Sequence, residues 1–225
     1  VGAGHADGAG QHHRKGFLME SHWLSMAKRL QALAQTGQQF TGCDFDRERY
    51  QEIESIAQCM LAQLGAVPLE QVRDLFATGE TGYVTPKVEV RGAVIRGGRI
   101  LLVQEKEDGR WAMPGGYADV GLSAARNVEK EVREEACLTV TAKHLYALRH
   151  KASGGYPADA RDFYKLHFIC ECDGKSKPAA GLETHQADFF APDDLPPLSL
   201  GKNLEEDIQA AFVAASAAHP QTWFD

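Results

Sequence analysis

The spacing of apolar positions changes once along the chain, and that change divides it. Trp23, Ala27, Leu30 and Ala34 recur at i, i+4, i+7 and i+11, which predicts a first helix with Gly37 as its stop. Tyr50, Ile53, Ala57, Met60 and Leu64 share one face of a second, with Asp44 or Asp46 as its cap and Gly65 at its end. Pro68 suits the first turn of a third, with Val72, Leu75 and Phe76 inward and Gly79 closing it. After Pro86 the period shortens. Residues 87–96 and 99–105 read as β-branched strands joined by Gly97-Gly98. A Gly-rich loop, a helix over 123–136, strands over 139–148 and 163–172, a polar loop at 159–162 and an amphipathic helix over 204–218 follow. These elements interleave without the alternation of a doubly wound sheet. They predict an α/β (α+β) fold, a mixed sheet packed between helices, preceded by a small helical domain.

Three segments result. Residues 1–18, rich in Gly, Ala and His without periodicity, read as a disordered leader or expression remnant, with Met19 as a native start. Residues 19–80 read as the helical domain and 81–225 as the mixed-sheet one. About 60 residues bury little on their own, so the helical unit should dock on the rest of the chain or on a second subunit, giving a homodimer. A DNA-binding head is the alternative, but nine acids against five bases between Met19 and Glu80 leave it no basic footprint.

Composition narrows the partners further. The 225 residues carry a net charge of -7, with 44% hydrophobic and 24% charged residues, an ordinary globular balance. That charge disfavours DNA and anionic membranes as partners. No apolar run approaches the roughly 20 residues that span a bilayer. Five cysteines in no regular framework suit a reduced, cytoplasmic chain, and Cys170 and Cys172 lack the further ligands of a zinc site.

The chemistry concentrates in 113–138. On the helix, at about 100° per residue, Ala125, Val128, Val132 and Ala136 share an apolar face. Asn127, Glu131, Glu134 and Glu135 occupy another, which breaks local rules. Glu131 and Glu135 repel at i and i+4, and Glu134 and Glu135 sit where the helix dipole prefers cations; Lys130 offsets part of this through Glu134. Partly buried carboxylates about 5 Å apart cost on the order of 3 kcal/mol per pair at an effective dielectric near 20, and a hard divalent cation reverses that sign. Ahead of the helix, Pro114-Gly115-Gly116 offers backbone able to approach a ligand closely.

Residues 116–138 resemble the Nudix box, G-x5-E-x7-R-E-U-x-E-E-x-G-U with U bulky and aliphatic. Gly116, Glu131, Val132, Glu134, Glu135 and Leu138 match; Leu122, Lys130 and Cys137 stand in place of Glu, Arg and Gly. The helical head, the junction at 81–91, the run 119–123 and Leu195-Pro-Pro-Leu-Ser199 are similar to one Nudix branch, described as hydrolysing X-linked nucleoside diphosphates and including bacterial CDP-choline pyrophosphatase. The resemblance implies a pyrophosphohydrolase using Mg2+ or Mn2+, held by Glu131, Glu134 and Glu135. It also implies a small-molecule nucleotide substrate, CDP-choline first, that yields a nucleoside monophosphate and phospho-X. ADP-ribose, a capped RNA 5′ end, or a sensor that binds nucleotide without cleaving it are the alternatives. Asp119 is placed to stand in for the carboxylate lost at Leu122.

The remaining site candidates follow. Glu134 or Glu183 would take the proton, and Gly115 and Gly116 would admit the phosphates. Arg91 suits either a phosphate contact or a domain-junction role. Arg110 and Trp111 precede the loop, Trp111 fitting either base stacking or the core.

Overall fold

The computed structural model describes residues 21–77 and 82–225. The leader at 1–18, Met19 and the closing Gly79 lie outside the described residues.

Helix α1 (His22–Phe40) starts where the Ser21 hydroxyl accepts from the Leu24 N–H. It does not stop at Gly37. That glycine is a contact instead: a Cβ there would stand 2.4 Å from the Tyr50 ring of α2 (Asp44–Gly65), so its bareness lets the two helices close. Neither Asp44 nor Asp46 is the cap of α2. Cys43 holds that position, and the two acids sit in the first turn, where the helix dipole favours them. The inward face of α2 also lies beside the expected one: Ala57, Gln58, Leu61 and Ala62 are buried, whereas Leu64 is exposed. Leu61 and Ala62 join Leu24, Ala27 and Val72 of α3 (Leu69–Phe76) in a small apolar cluster, against which Ala160 of the larger unit packs.

Strands β1 (Lys87–Arg96), β2 (Arg99–Glu105) and β5 (Phe163–Cys172) have the expected bounds, and β4 (Val140–His150) runs two residues beyond them. Three strands were unread in the sequence: β3 (Trp111–Ala112), β6 (Thr184–Phe190) and β7 (Trp223–Phe224). The sheet order is β3-β2-β1-β5-β4-β7, with β6 on the other edge of β2. β1 and β5 pair in parallel over eight positions, β4 and β5 antiparallel, and β1 meets β2 only at the hairpin base. The sheet is therefore mixed.

Helix α4 (Ala124–Ala136) lays Val128, Val132 and Ala136 against Val90, Val94, Leu101 and Phe168. Gly92 of β1 lies under it, where a Cβ would meet Val132 at 2.8 Å. Helix α5 (Glu205–Ser216) covers the opposite face through Ile208 and Ala211, packed with Ala93, Ile100, Leu102 and Tyr146. The odd-numbered positions of β1 thus face α5 and the even-numbered ones face α4.

Candidate active site

The segment ahead of α4 is an extra strand in all but length. Where β1 parts from β2, its free edge takes up the loop: Gly92 N–H donates to Pro114 O at 2.8 Å, Val90 N–H to Gly116 O at 2.9 Å, and Ala118 N–H to Val88 O at 2.9 Å. Gly115 makes this approach feasible. Its φ is +154°, and a Cβ would sit 2.0 Å from Val90 O. The second glycine faces the other way, toward the acids: a Cβ on Gly116 would be 3.2 Å from the Glu131 carboxylate.

Four features hold α4 in place. Ser123 caps its first turn, accepting from the Arg126 N–H. Asn127, fully buried, accepts from the Asp119 N–H at 2.9 Å and so ties the 119–123 turn to the helix. Cys137 ends the helix in the left-handed region at φ 54°. Beyond it, Ala179 N–H reaches Ala136 O at 3.0 Å, while Gly181 N–H at 3.2 Å and the Thr184 hydroxyl at 2.8 Å both donate to Glu135 O. A Cβ on Gly181 would meet Glu134 O at 1.7 Å, so a later loop closes tightly over the helix end.

The three glutamates have unlike surroundings. Glu135 is 5% exposed and accepts from Gly115 N–H at 2.9 Å. Burial pushes its pKa up to about 7, against the opposing charge of Arg91 and this hydrogen bond, with Glu105 and Glu131 adding to the rise. Burial likewise raises Glu131, opposed by Lys130 and Arg91 and reinforced by Glu134 and Glu183. Glu183 therefore stands within electrostatic reach of the helix face. Glu134 is half-exposed and pairs with Lys130 at 2.9 Å; Lys130 also meets Asp119 at 3.2 Å. Asp119, the stand-in for Leu122, is thus engaged by Lys130.

As placed, the carboxylates do not converge: among the described residues no three acids, histidines or cysteines stand in ion-holding geometry. The donor set is nonetheless one that hard divalent cations take. It consists of carboxylate oxygens, two of them partly buried with raised pKa values, facing bare backbone.

Arg91 lies beneath the loop, 3% exposed. Its guanidinium donates to the Glu89 carboxylate and, at 3.0 Å, to Met113 O. Glu89 also accepts from Lys165 at 2.9 Å. Burial opposes the charge on Glu89, but Arg91 and Lys165 overcome it and hold its pKa at about 2. This geometry favours a positioning role for Arg91, its fork being committed to Glu89 and Met113. Trp111 packs edge-on against Phe190, ring centres 4.7 Å apart, beside the α5-side core. Arg110 lies exposed in the β2–β3 turn, its N–H on Asp108. The structure therefore sets Gly115 against Glu135 and Gly116 against Glu131, keeps Glu183 within electrostatic reach of Glu131, and places Trp111 and Arg110 apart on β3 and its turn.

Sequence reasoning missed Glu89 and Glu105. Glu105 is 4% exposed, bonds to Lys202 at 2.6 Å, and adds its charge to Glu135. Glu89 and Arg91, two apart on one strand, could have been read as a same-face pair; nothing marked Glu105.

Two family models match the chain: a UDP-X-like N-terminal oligomerisation domain over residues 21–76, and a NUDIX domain over 86–211. A Bacillus subtilis protein provisionally described as an ADP-ribose pyrophosphatase is 38% identical over 208 residues, 92% of this chain and 99% of its own. The crystal structure of an ADP-ribose pyrophosphatase from Streptococcus suis is 40% identical with a TM-score of 0.57, over 63% of this chain and all of that one. That of a UDP-X diphosphatase is 28% identical with a TM-score of 0.58, over 92% of this chain and all of that one.

Proposed function

The chain belongs to the Nudix family as a pyrophosphohydrolase, and from that premise we propose that it hydrolyses the diphosphate bridge of a nucleoside diphosphate linked to a second group X, releasing nucleoside monophosphate and phospho-X. The observation that carries this reading is the pairing of bare backbone with buried acid. Gly115 donates to Glu135, and a Cβ on Gly116 would stand 3.2 Å from the Glu131 carboxylate, so the bare backbone there leaves that carboxylate uncovered.

Glu131, Glu134 and Glu135 would hold Mg2+ or Mn2+, which when bound neutralises bridge oxygens and acidifies water. The chain's own residues do the rest. Gly115 and Gly116 let the diphosphate lie against backbone. Arg91 fixes that backbone from below through Met113 O. Glu134 or Glu183 takes the proton from the attacking water, Glu134 being half-exposed on the helix and Glu183 lying within electrostatic reach of Glu131 from another loop. The electrophile is phosphorus rather than the linking carbon of X, because Glu131 and Glu135 face the Gly115–Gly116 backbone against which the diphosphate would lie.

Three substrates have separate support. CDP-choline rests on the resemblance to the branch; UDP-linked compounds are favoured by the UDP-X-like match of the helical head and the 28% identical UDP-X diphosphatase, and ADP-ribose by the descriptions of the 38% and 40% identical relatives. A panel of ADP-ribose, UDP-glucose, CDP-choline and a dinucleotide, with Mg2+ and with Mn2+, scored for monophosphate release, decides between them. Hydrolysis in 18O-water should label the nucleoside monophosphate or phospho-X and leave free X unlabelled. Tight nucleotide binding with no turnover of any diphosphate would replace the enzyme by a sensor.

A further inference from the structure

The Leu that stands where the box has its first Glu is not idle surface. Leu122 lines a recess of about 570 Å³ beside the loop, together with Val88, Tyr117, Ala118, Ala124 and Arg161. Tyr117 directly follows Gly116 and pairs with Glu89 as an isolated bridge. Successive residues of extended backbone are about 3.3 Å apart and point to opposite faces. The Tyr117 side chain therefore leaves the loop on the face opposite Glu131, and the recess that it lines runs around the edge of the loop to Leu122, Ala124 and Asn127 at the start of α4.

The ring is prepared for stacking. One side lies on Phe163, centroids 5.9 Å apart and planes 19° from parallel, and Phe163 is itself buried. Arg161 stands 5.9 Å from the Tyr117 ring centre and 5.0 Å from that of Phe163, held in turn by Asp159 at 3.3 Å. The phenol remains half-exposed. The recess thus offers an aromatic plate, a fixed cation and aliphatic walls. A carboxylate at 122 would put charge into those walls.

We propose that this recess holds the nucleobase, with Tyr117 as the stacking residue and Leu122 as the wall that admits it. The proposal rests on the reading of the chain as a hydrolase of X-linked nucleoside diphosphates and assigns the part of the site that recognises their common end. Base–aromatic stacking is tolerant of base identity, which suits a recess that selects for a nucleoside more than for one base.

The test compares AMP, CMP and UMP with ribose 5-phosphate, which lacks a base, by calorimetry on the full chain and on Tyr117→Ala, Tyr117→Phe and Leu122→Glu. Tyr117→Ala should weaken the nucleotides at least tenfold and ribose 5-phosphate by less than twofold, Tyr117→Phe should restore most of that loss, and Leu122→Glu should weaken the nucleotides without lowering the melting temperature. For whichever diphosphate is hydrolysed, the loss in Tyr117→Ala should fall on KM rather than kcat. Equal weakening of nucleotides and ribose 5-phosphate, or unchanged nucleotide affinity in a folded Tyr117→Ala, overturns the assignment even if turnover is normal. Base-dependent binding lost in Tyr117→Ala, with no diphosphate hydrolysed by the wild type, upholds the recess and overturns the hydrolase reading.

Discussion

Glu131, Glu134 and Glu135 share a helix face but not an environment, and the differences set what each substitution does. All three lie off the apolar face of α4. Glu131→Gln, Glu134→Gln and Glu135→Gln should therefore each lower kcat at least tenfold while circular dichroism stays native; wild-type rates in all three at saturating Mg2+ would show the site to be elsewhere. Glu135 adds a pH signature. Its folded pKa, about 7, lies above the usual carboxylate value, so folding favours its neutral form. The associated stability is full below about pH 4.5 and fades as pH rises toward and through 7, by up to about 3 kcal/mol. The metal-free Glu135→Gln variant escapes this loss, so its melting temperature should gain on that of the wild type between pH 5 and 8. A gap that stays constant would mean Glu135 titrates normally. Cys137 is a simpler case. A left-handed non-glycine residue costs roughly 1–2 kcal/mol, and glycine returns part of that as chain entropy, so Cys137→Gly should stabilise the protein by about 0.5–1 kcal/mol in urea.

At the level of elements, the site depends on a strand too short to be seen as one. The 114–118 loop pairs with β1 only because Gly115 fits under Val90 O. Gly115→Ala should break that pairing, move the loop from the Glu135 carboxylate and lower kcat/KM by two orders of magnitude or more, with a smaller loss of stability. Near-normal kcat/KM in that variant would show that the loop tolerates the shift. What the sequence made legible follows the same division. β1 and β2 were readable because β-branched runs flank the turn pair Gly97-Gly98. The box was readable because 131, 134 and 135 fall on one helical face. β6 was not, because His185, Gln186 and Asp188 give an edge strand no apolar alternation. Gly37 misled, because a glycine that ends a helix and one that admits a neighbouring ring look alike in one dimension. The reach of Glu183 to Glu131, and the commitment of Arg91 to Met113, depend on which strands and loops meet, and spacing carries no record of that.

Across the whole molecule, the helical head keeps apolar surface uncovered. Trp23, Leu30, Leu33 and Phe40 make a second stripe on α1 beside the buried one, all exposed, while α2 exposes Phe45, Ile56 and Leu64. The head touches the larger unit through Lys28 and Asp162 at 2.9 Å, Thr36 and Val84, the rings of Phe40 and Tyr83 with centres 4.9 Å apart, and Ala160, which leaves Trp23, Leu30 and Leu33 of that stripe open. Together with the match of residues 21–76 to an oligomerisation domain, this supports a homodimer closed through the heads. Light scattering at micromolar concentration should give twice the chain mass, and Leu30→Asp with Leu33→Asp should halve it. A wild-type monomer would assign the stripe to some other cover. No described helix is long and apolar enough to cross a membrane.

The closure of α4 by a distant loop bears on the order in which the protein is made. The carbonyl of Glu135 is satisfied by Thr184, 49 positions later, and β1 finds its parallel partner 76 positions downstream, where Lys165 meets Glu89. A chain emerging from the ribosome therefore carries its complete motif for roughly 2–10 seconds before anything can finish the helix that bears it. Non-local pairing of this kind is slow, because loop entropy is spent before the contacts return it. During refolding, far-UV ellipticity should accordingly recover ahead of hydrolysis. The enzyme would acquire its activity as one of its last folding events, when the 179–184 loop arrives.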